Sequence, residues 1–156
     1  MAGVYVIQEG GTTEAMSRIR CRDENKELQQ ILEANADLLP GDQIDPDDPR
    51  RWLLIKREMS VPDPTSGADR WSIDFLFADQ DAIPTFVECK RFDDTRSRRE
   101  VVGQMLEYAA NGHFYWTAEA LRDVASVTAT QAGRSLEERF ASLQPNIEQS
   151  VDSYFK

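Results

Sequence analysis

Asp74, Glu88 and Lys90 are the residues of this chain whose types and spacing could do chemistry. They fall within WSIDFLFADQDAIPTFVECK, where two apolar runs flank a polar turn. Successive strand residues point to opposite faces. Ser72, Asp74 and Leu76 therefore share one side of the first run, and Phe86, Glu88 and Lys90 one side of the second. With the turn centred on Asp81, Asp74 lies opposite Glu88, and Lys90 faces Ser72, with no bulge required. Like charges side by side in a sheet are destabilising unless something neutralises them. A divalent cation does so, and magnesium suits a site with one or two carboxylates, completing its octahedron with water and substrate phosphate. Such an ion polarises a phosphoryl oxygen and lowers the pKa of a bound water. A nearby lysine can orient or deprotonate that water and offset developing negative charge. The set points to magnesium-dependent phosphodiester hydrolysis, with manganese as a substitute ion.

The elements that must position these residues are legible on either side. Asp23 is placed to N-cap a helix over 24–35, with Leu28, Ile31 and Leu32 on one face. Leu38 and Leu39 extend that surface as far as Pro40-Gly41, and 41–50 reads as a Pro- and Asp-rich loop. Trp52 to Glu58 reads as a buried strand, VPDPTSGAD as a loop, and Trp71–Phe77 with Thr85–Lys90 as an antiparallel hairpin. Ser97 and Glu100 form a capping box for the next helix. Its apolar stripe is Val101, Val102, Met105, Leu106 and Ala109, and Asn111-Gly112 ends it. His113 to Trp116 (HFYW) reads as a short aromatic strand, followed by helices over 118–125 and 135–143. Upstream, GVYVIQ and SRIRCR read as a hairpin across EGGTTEA. The closing IEQSVDSYFK reads as the beginning of a helix, so the chain is expected to be the front part of a longer protein.

The D…ExK spacing resembles the PD-(D/E)xK nuclease superfamily, with Asp74 as the aspartate and Glu88-Cys89-Lys90 as the E-x-K. Ile73 stands where the name-giving proline would be, a departure the superfamily tolerates. The resemblance implies an α/β (α+β) restriction-endonuclease-like core, ordered helix, three strands, helix, strand, with a mixed central sheet flanked by helices. That order matches residues 24–116, within a single domain over 1–156 whose residues 117–156 form a helical C-terminal extension. It further implies metal ligation by Asp74, Glu88 and the main-chain carbonyl of Cys89, with Lys90 as the catalytic lysine. Gln104 and Tyr108, four apart and so on one helix face, are similar to the Q-x-x-x-Y element that supports the lysine and the nucleic-acid strand. Superfamily members often add a glutamate from the first core helix; Glu27 is the candidate here, with Glu24 and Glu33 as alternatives.

Composition sets bounds on these expectations. The 156 residues suit one domain, and 40% hydrophobic with 29% charged residues describe a globular protein. MAGVYVIQEGG shows neither a basic start nor an apolar run, and no stretch is long enough to span a membrane, so the cytoplasm is the default location. A net charge of −10 opposes a nucleic-acid partner unless basic residues are concentrated locally. Lys90, Arg91, Arg96, Arg98 and Arg99 are so concentrated, and Arg98 and Arg99 fall in a first helical turn that favours an approaching anion. Arg91, Arg98 and Arg99 are the candidate nucleic-acid contacts. His113 is the single histidine, which opposes an imidazole-built metal site, and no nucleophile motif accompanies it. Cys89 points away from the site as a core thiol, and Trp52, Trp71 and Trp116 read as core residues on strands.

DNA is the expected partner, with RNA, strandedness, and endo- or exo-action left open. A homodimer, a C-terminal region or a partner protein outside this chain is also left open. The main rival from another class is a binding or protein-interaction module that keeps the fold without the chemistry, which the net charge of −10 favours. A third reading is a defence or repair effector that needs the outside region or partner to act.

Overall fold

The computed structural model describes residues 4–63, 65–91, 98–112, 114–143 and 149–156. Among them the chain is a mixed α+β fold with two small antiparallel sheets and six α-helices. The centre is a long hairpin of β3 (Trp52–Pro62) and β4 (Asp69–Asp79), to which β5 (Pro84–Val87) adds on the far side of β4. Valine, isoleucine, leucine and aromatic side chains dominate these runs, as expected for a buried pleated surface. Both long strands extend beyond their expected ends: Val61-Pro62 and Asp69 pair across a turn that occupies only part of the anticipated loop.

The β4–β5 register is Phe75↔Val87, Leu76↔Phe86, Phe77↔Thr85 and Ala78↔Pro84. This is the register of a turn centred on Asp81, and one further step sets Asp74 level with Glu88. Asp79 fixes the turn, because its Oδ1 accepts the N–H groups of Asp81 and Ile83, each at 2.9 Å. β5 nevertheless stops at Val87, three residues short of the expected end at Lys90. The N–H of Cys89 is given to the Asp74 carboxylate instead of to a backbone partner, so the ladder ends there and Lys90 does not pair with Ser72.

Two clusters of side chains cover the sheet. Phe75 and Phe77, their rings stacked 5.5 Å apart, pack with Leu32, Leu54 and Cys89. Leu53, Ile55, Ile73, Leu76 and Tyr108 pack in the other, together with Ala125, Phe140, Leu143 and Tyr154 from the C-terminal helices α4 (Ala118–Gln131), α5 (Leu136–Leu143) and α6 (Val151–Tyr154). The described helices after 117 thus contribute side chains to the same core as the sheet. Tyr154 also donates its hydroxyl to the carbonyl of Asp79 at 2.6 Å.

The first helix opens as a π-helical stretch, Glu24–Gln29, and continues as α1 (Gln30–Ala34). Asp23 caps it by accepting the N–H of Lys26 at 3.0 Å. The wider i→i+5 winding changes which side chains face inward: Gln29 and Leu32 are buried, whereas Ile31 is exposed. Arg57 of β3 ties this helix to the sheet through Asn25, Gln29 and Glu33. Beyond it, Leu39 packs on the Phe75/Phe77 cluster while Leu38 is exposed, and Gly41 opens the short helix α2 (Gly41–Ile44).

Helix α3 (Arg98–Gly112) turns a different stripe inward from the expected one. Tyr108 is fully buried and Val101, Gln104 and Met105 are half-buried, while Val102 and Leu106 are exposed. The expected aromatic strand after it is not formed at 114–116, and among the described residues this sheet has three strands, all antiparallel, where a mixed sheet was expected. The N–H groups of Tyr115 and Trp116 both return to the carbonyl of Gly112 at 2.9 Å, closing a turn in place of a strand. Only glycine at 112 leaves room for the Trp116 ring, which meets Phe86 edge-on at 5.7 Å. His113 and Ser97 lie outside the described residues.

At the N-terminus, β1 (Tyr5–Ile7) pairs with β2 (Thr13–Ala15), not with 17–22 as expected. Gly10 and Gly11, at φ 97° and 81°, reverse the chain early, and SRIRCR is left without regular structure. All strand residues of this hairpin are exposed.

Candidate active site

Asp74 stands on β4, half-buried, with Oδ2 accepting the Cys89 N–H at 2.7 Å. Burial raises its pKa to about 6 against that hydrogen bond; Glu88 and Glu58 push it further up and Lys90 pulls it down. Glu88 follows the last paired residue of β5 and is more deeply enclosed, its side chain 6% exposed. Its Oε1 accepts from Lys90 Nζ at 2.6 Å, and its Oε2 is buried with no hydrogen-bond partner. Lys90 Nζ also donates to the Cys89 carbonyl at 3.0 Å and lies 3.8 Å from Glu24. Burial works against the ammonium, but Glu88, Asp74 and Glu24 outweigh it and raise its pKa. Lys90 is therefore a cation at neutral pH. Cys89 is buried in the Phe75/Phe77 cluster, and burial, with Asp74, Glu24 and Glu88 adding to it, pushes its thiol up to about 12. A protonated thiol is neither nucleophile nor metal ligand, so the main chain is what Cys89 brings to the site.

Helix α3 supplies the next pair. Gln104 Nε2 donates to the Tyr108 hydroxyl, and that hydroxyl has a raised pKa, from burial first, opposed by Gln104, with Glu88 and Asp74 adding to the rise. The pair thus sits within the electrostatic field of the carboxylates. The inward rotation of α3 that exposes Val102 and Leu106 is also what brings Gln104 and Tyr108 to this side.

The first helix contributes a different glutamate from the one expected. Glu27 is half-buried and accepts the Arg22 N–H at 2.7 Å, and Glu33 pairs with Arg57 at 2.7 Å. Glu24, weighed only as an alternative, is the one that reaches Lys90, and it also accepts the Arg91 N–H at 3.0 Å. Arg91 is exposed at the rim, with Nη1 donating to the Arg22 carbonyl at 3.1 Å. Arg99 is exposed on the first turn of α3; the side chain of Arg98, and Arg96, lie outside the described residues.

Glu58 was not read from sequence as part of this region. It falls between the pairs Arg57↔Phe75 and Met59↔Ile73, level with Asp74 on the opposite side from Glu88. Its backbone is left-handed, φ 53°, unusual for a non-glycine residue within a strand. Its carboxylate accepts from Ser72 at 3.2 Å.

The donor set fits a hard cation. The partnerless Glu88 Oε2 and the raised pKa of Asp74 both mark carboxylate charge that the protein leaves incompletely neutralised. Asp74, Glu88 and the Cys89 carbonyl are oxygen donors of the kind magnesium takes with water. Among the described residues no group of three or more His, Cys, Asp or Glu side chains converges as a metal cage. None of the described helices is long and apolar enough to cross a membrane. No protein-family model, curated protein or solved structure matches the chain significantly.

Proposed function

We propose that the chain is a metal-dependent nuclease domain of the PD-(D/E)xK type, hydrolysing phosphodiester bonds, with DNA as the substrate. The observation that carries this reading is the Glu88 carboxylate, buried beside Asp74 with one oxygen on Lys90 and the other without a partner. Leaving a buried carboxylate oxygen unsatisfied costs about 1–3 kcal/mol, which structure alone gives no reason to retain. Asp74, Glu88 and the Cys89 carbonyl would hold magnesium or manganese, which when bound polarises the phosphoryl oxygen and acidifies a water. Lys90, charged and fixed by Glu88 and Glu24, would orient the attacking water and offset negative charge developing at phosphorus. Gln104 and Tyr108, whose hydroxyl lies in the field of Glu88, Asp74 and Lys90, would support the lysine end of the site. The helix, three-strand, helix order supports a restriction-endonuclease-like core, with the fourth strand of that arrangement not formed at 114–116.

The test is cleavage of plasmid and single-stranded DNA with magnesium or manganese by wild type, Lys90→Ala and Asp74→Ala. Cleavage by wild type alone supports the reading, and metal-dependent cleavage surviving both substitutions sinks it. One observation favours a silent binding module instead: Lys90 already neutralises Glu88 and covers the Cys89 carbonyl. Folded protein whose melting temperature does not respond to magnesium or manganese would decide for that second reading.

A further inference from the structure

Between β2 and the first helix the chain carries arginine at alternate positions, Arg18, Arg20 and Arg22. The end of this segment is fastened beside the candidate active site on two sides. Glu27 accepts the Arg22 N–H at 2.7 Å, and the Arg91 guanidinium donates to the Arg22 carbonyl at 3.1 Å. Glu27 therefore has a role in this region, holding the segment and not reaching Lys90. Two adjoining cavities open along it. One, of about 440 Å³, is lined by Arg18, Arg20, Lys90 and Arg91 over Leu28. The other, of about 650 Å³, is lined by Arg20, Arg22 and Arg91 with Glu27 and Ile19. Lys90 is both a wall of this cleft and a member of the Asp74/Glu88 set.

In a chain of net charge −10 this is a local inversion of sign. Arginine and lysine bind phosphate largely through release of counterions, and a basic stripe on an acidic protein is the electrostatic footprint of that partner. Two adjoining cavities that share Arg20 and Arg91, with further cations in each, suit a repeating polyanion better than one isolated phosphate. Ile19, 87% exposed between the arginines, offers apolar contact to a sugar or base.

We propose that the 18–22 segment and Arg91 form a track for the phosphodiester backbone of a nucleic-acid strand, delivering it to Lys90. The strand's destination rests on the nuclease reading above; its binding does not. The measurement is fluorescence anisotropy of a labelled single-stranded DNA oligonucleotide, titrated with the full chain in EDTA across a salt series. The Arg18→Gln/Arg20→Gln variant binds more weakly, and its slope of log affinity against log salt falls by about 0.7 for each arginine removed. The Arg18→Lys/Arg20→Lys variant keeps the wild-type slope, and circular dichroism shows both variants folded. Wild-type affinity and slope in the folded glutamine variant overturn the track, as does failure of the wild type to bind at all. Weaker binding by the glutamine variant without cleavage by any protein leaves the track standing and the nuclease reading failed. Cleavage by wild type with unaltered binding by the glutamine variant gives the reverse.

Discussion

Lys90 holds Glu88 by one oxygen only: Nζ lies 2.6 Å from Oε1, while Oε2 of the same carboxylate is buried with no partner. The relationship makes Glu88 a half-satisfied buried carboxylate, the feature on which the proposed metal site rests.

Magnesium is therefore expected to stabilise the folded protein. At a concentration one hundred times its dissociation constant, a ligand that binds only the native state adds about 2.7 kcal/mol. Thermal melts with magnesium and with EDTA measure this shift. Glu88→Gln should abolish it, and an unchanged shift in that variant would place the ion elsewhere.

The raised pKa of Asp74 has a consequence of definite sign. Its folded value of about 6 lies above its usual 3.8, so between those values the native state binds the proton more tightly than the unfolded chain. Its contribution to stability therefore falls as pH rises through that window. Asp74→Asn should flatten this dependence and stabilise the protein at pH 8 by on the order of 1 kcal/mol, allowing for solvent screening of a half-buried group. Cleavage should run the other way, declining as pH falls through about 6 and Asp74 is protonated. Denaturant melts and pH–rate profiles read the two effects separately.

Tyr108 lies in the core and bonds to Gln104, so its ring and its hydroxyl are separable. Tyr108→Phe keeps the ring and should cost about 1 kcal/mol of stability, the typical worth of one hydrogen bond. Tyr108→Ala should cost about 3–5 kcal/mol, as for other large-to-small core changes. Loss of metal-dependent cleavage in the folded Tyr108→Phe variant would assign the hydroxyl to the site; full retention would leave Tyr108 a packing residue.

The N-terminal hairpin and the sheet should differ sharply in what they contribute. Ile7 is 74% exposed and Phe77 is fully buried. Ile7→Ser should change stability by no more than about 0.5 kcal/mol, against about 3–5 kcal/mol for Phe77→Ala. Urea unfolding midpoints test the contrast.

The most consequential geometry was legible because one rule governs it. Strand alternation and a turn at Asp81 set the β4–β5 register, and with it the levelling of Asp74 with Glu88. What was misread involved departures from regular winding or pairing. The first helix begins as a π-helix, so Ile31, expected on the inner face, is exposed, and the glutamate that reaches Lys90 is Glu24, an alternative to the Glu27 that borders that face. On α3 the expected stripe of Val101, Val102, Met105, Leu106 and Ala109 does not coincide with the buried face, which is centred on Tyr108 and leaves Val102 and Leu106 exposed. The HFYW run has strand-like composition, but hydrogen bonds back to Gly112 hold 114–116 in a turn. Glu58 escaped notice because its place depends on β3 pairing and on a left-handed backbone that no local pattern signals.

The most direct test of the account is a crystal grown or soaked with manganese, read by anomalous scattering. A peak about 2.0–2.2 Å from carboxylate oxygens of Asp74 and Glu88, with Lys90 moved off the Cys89 carbonyl, is the predicted result. Saturating manganese with no peak there, and the Lys90–Glu88 pair unchanged, would contradict it.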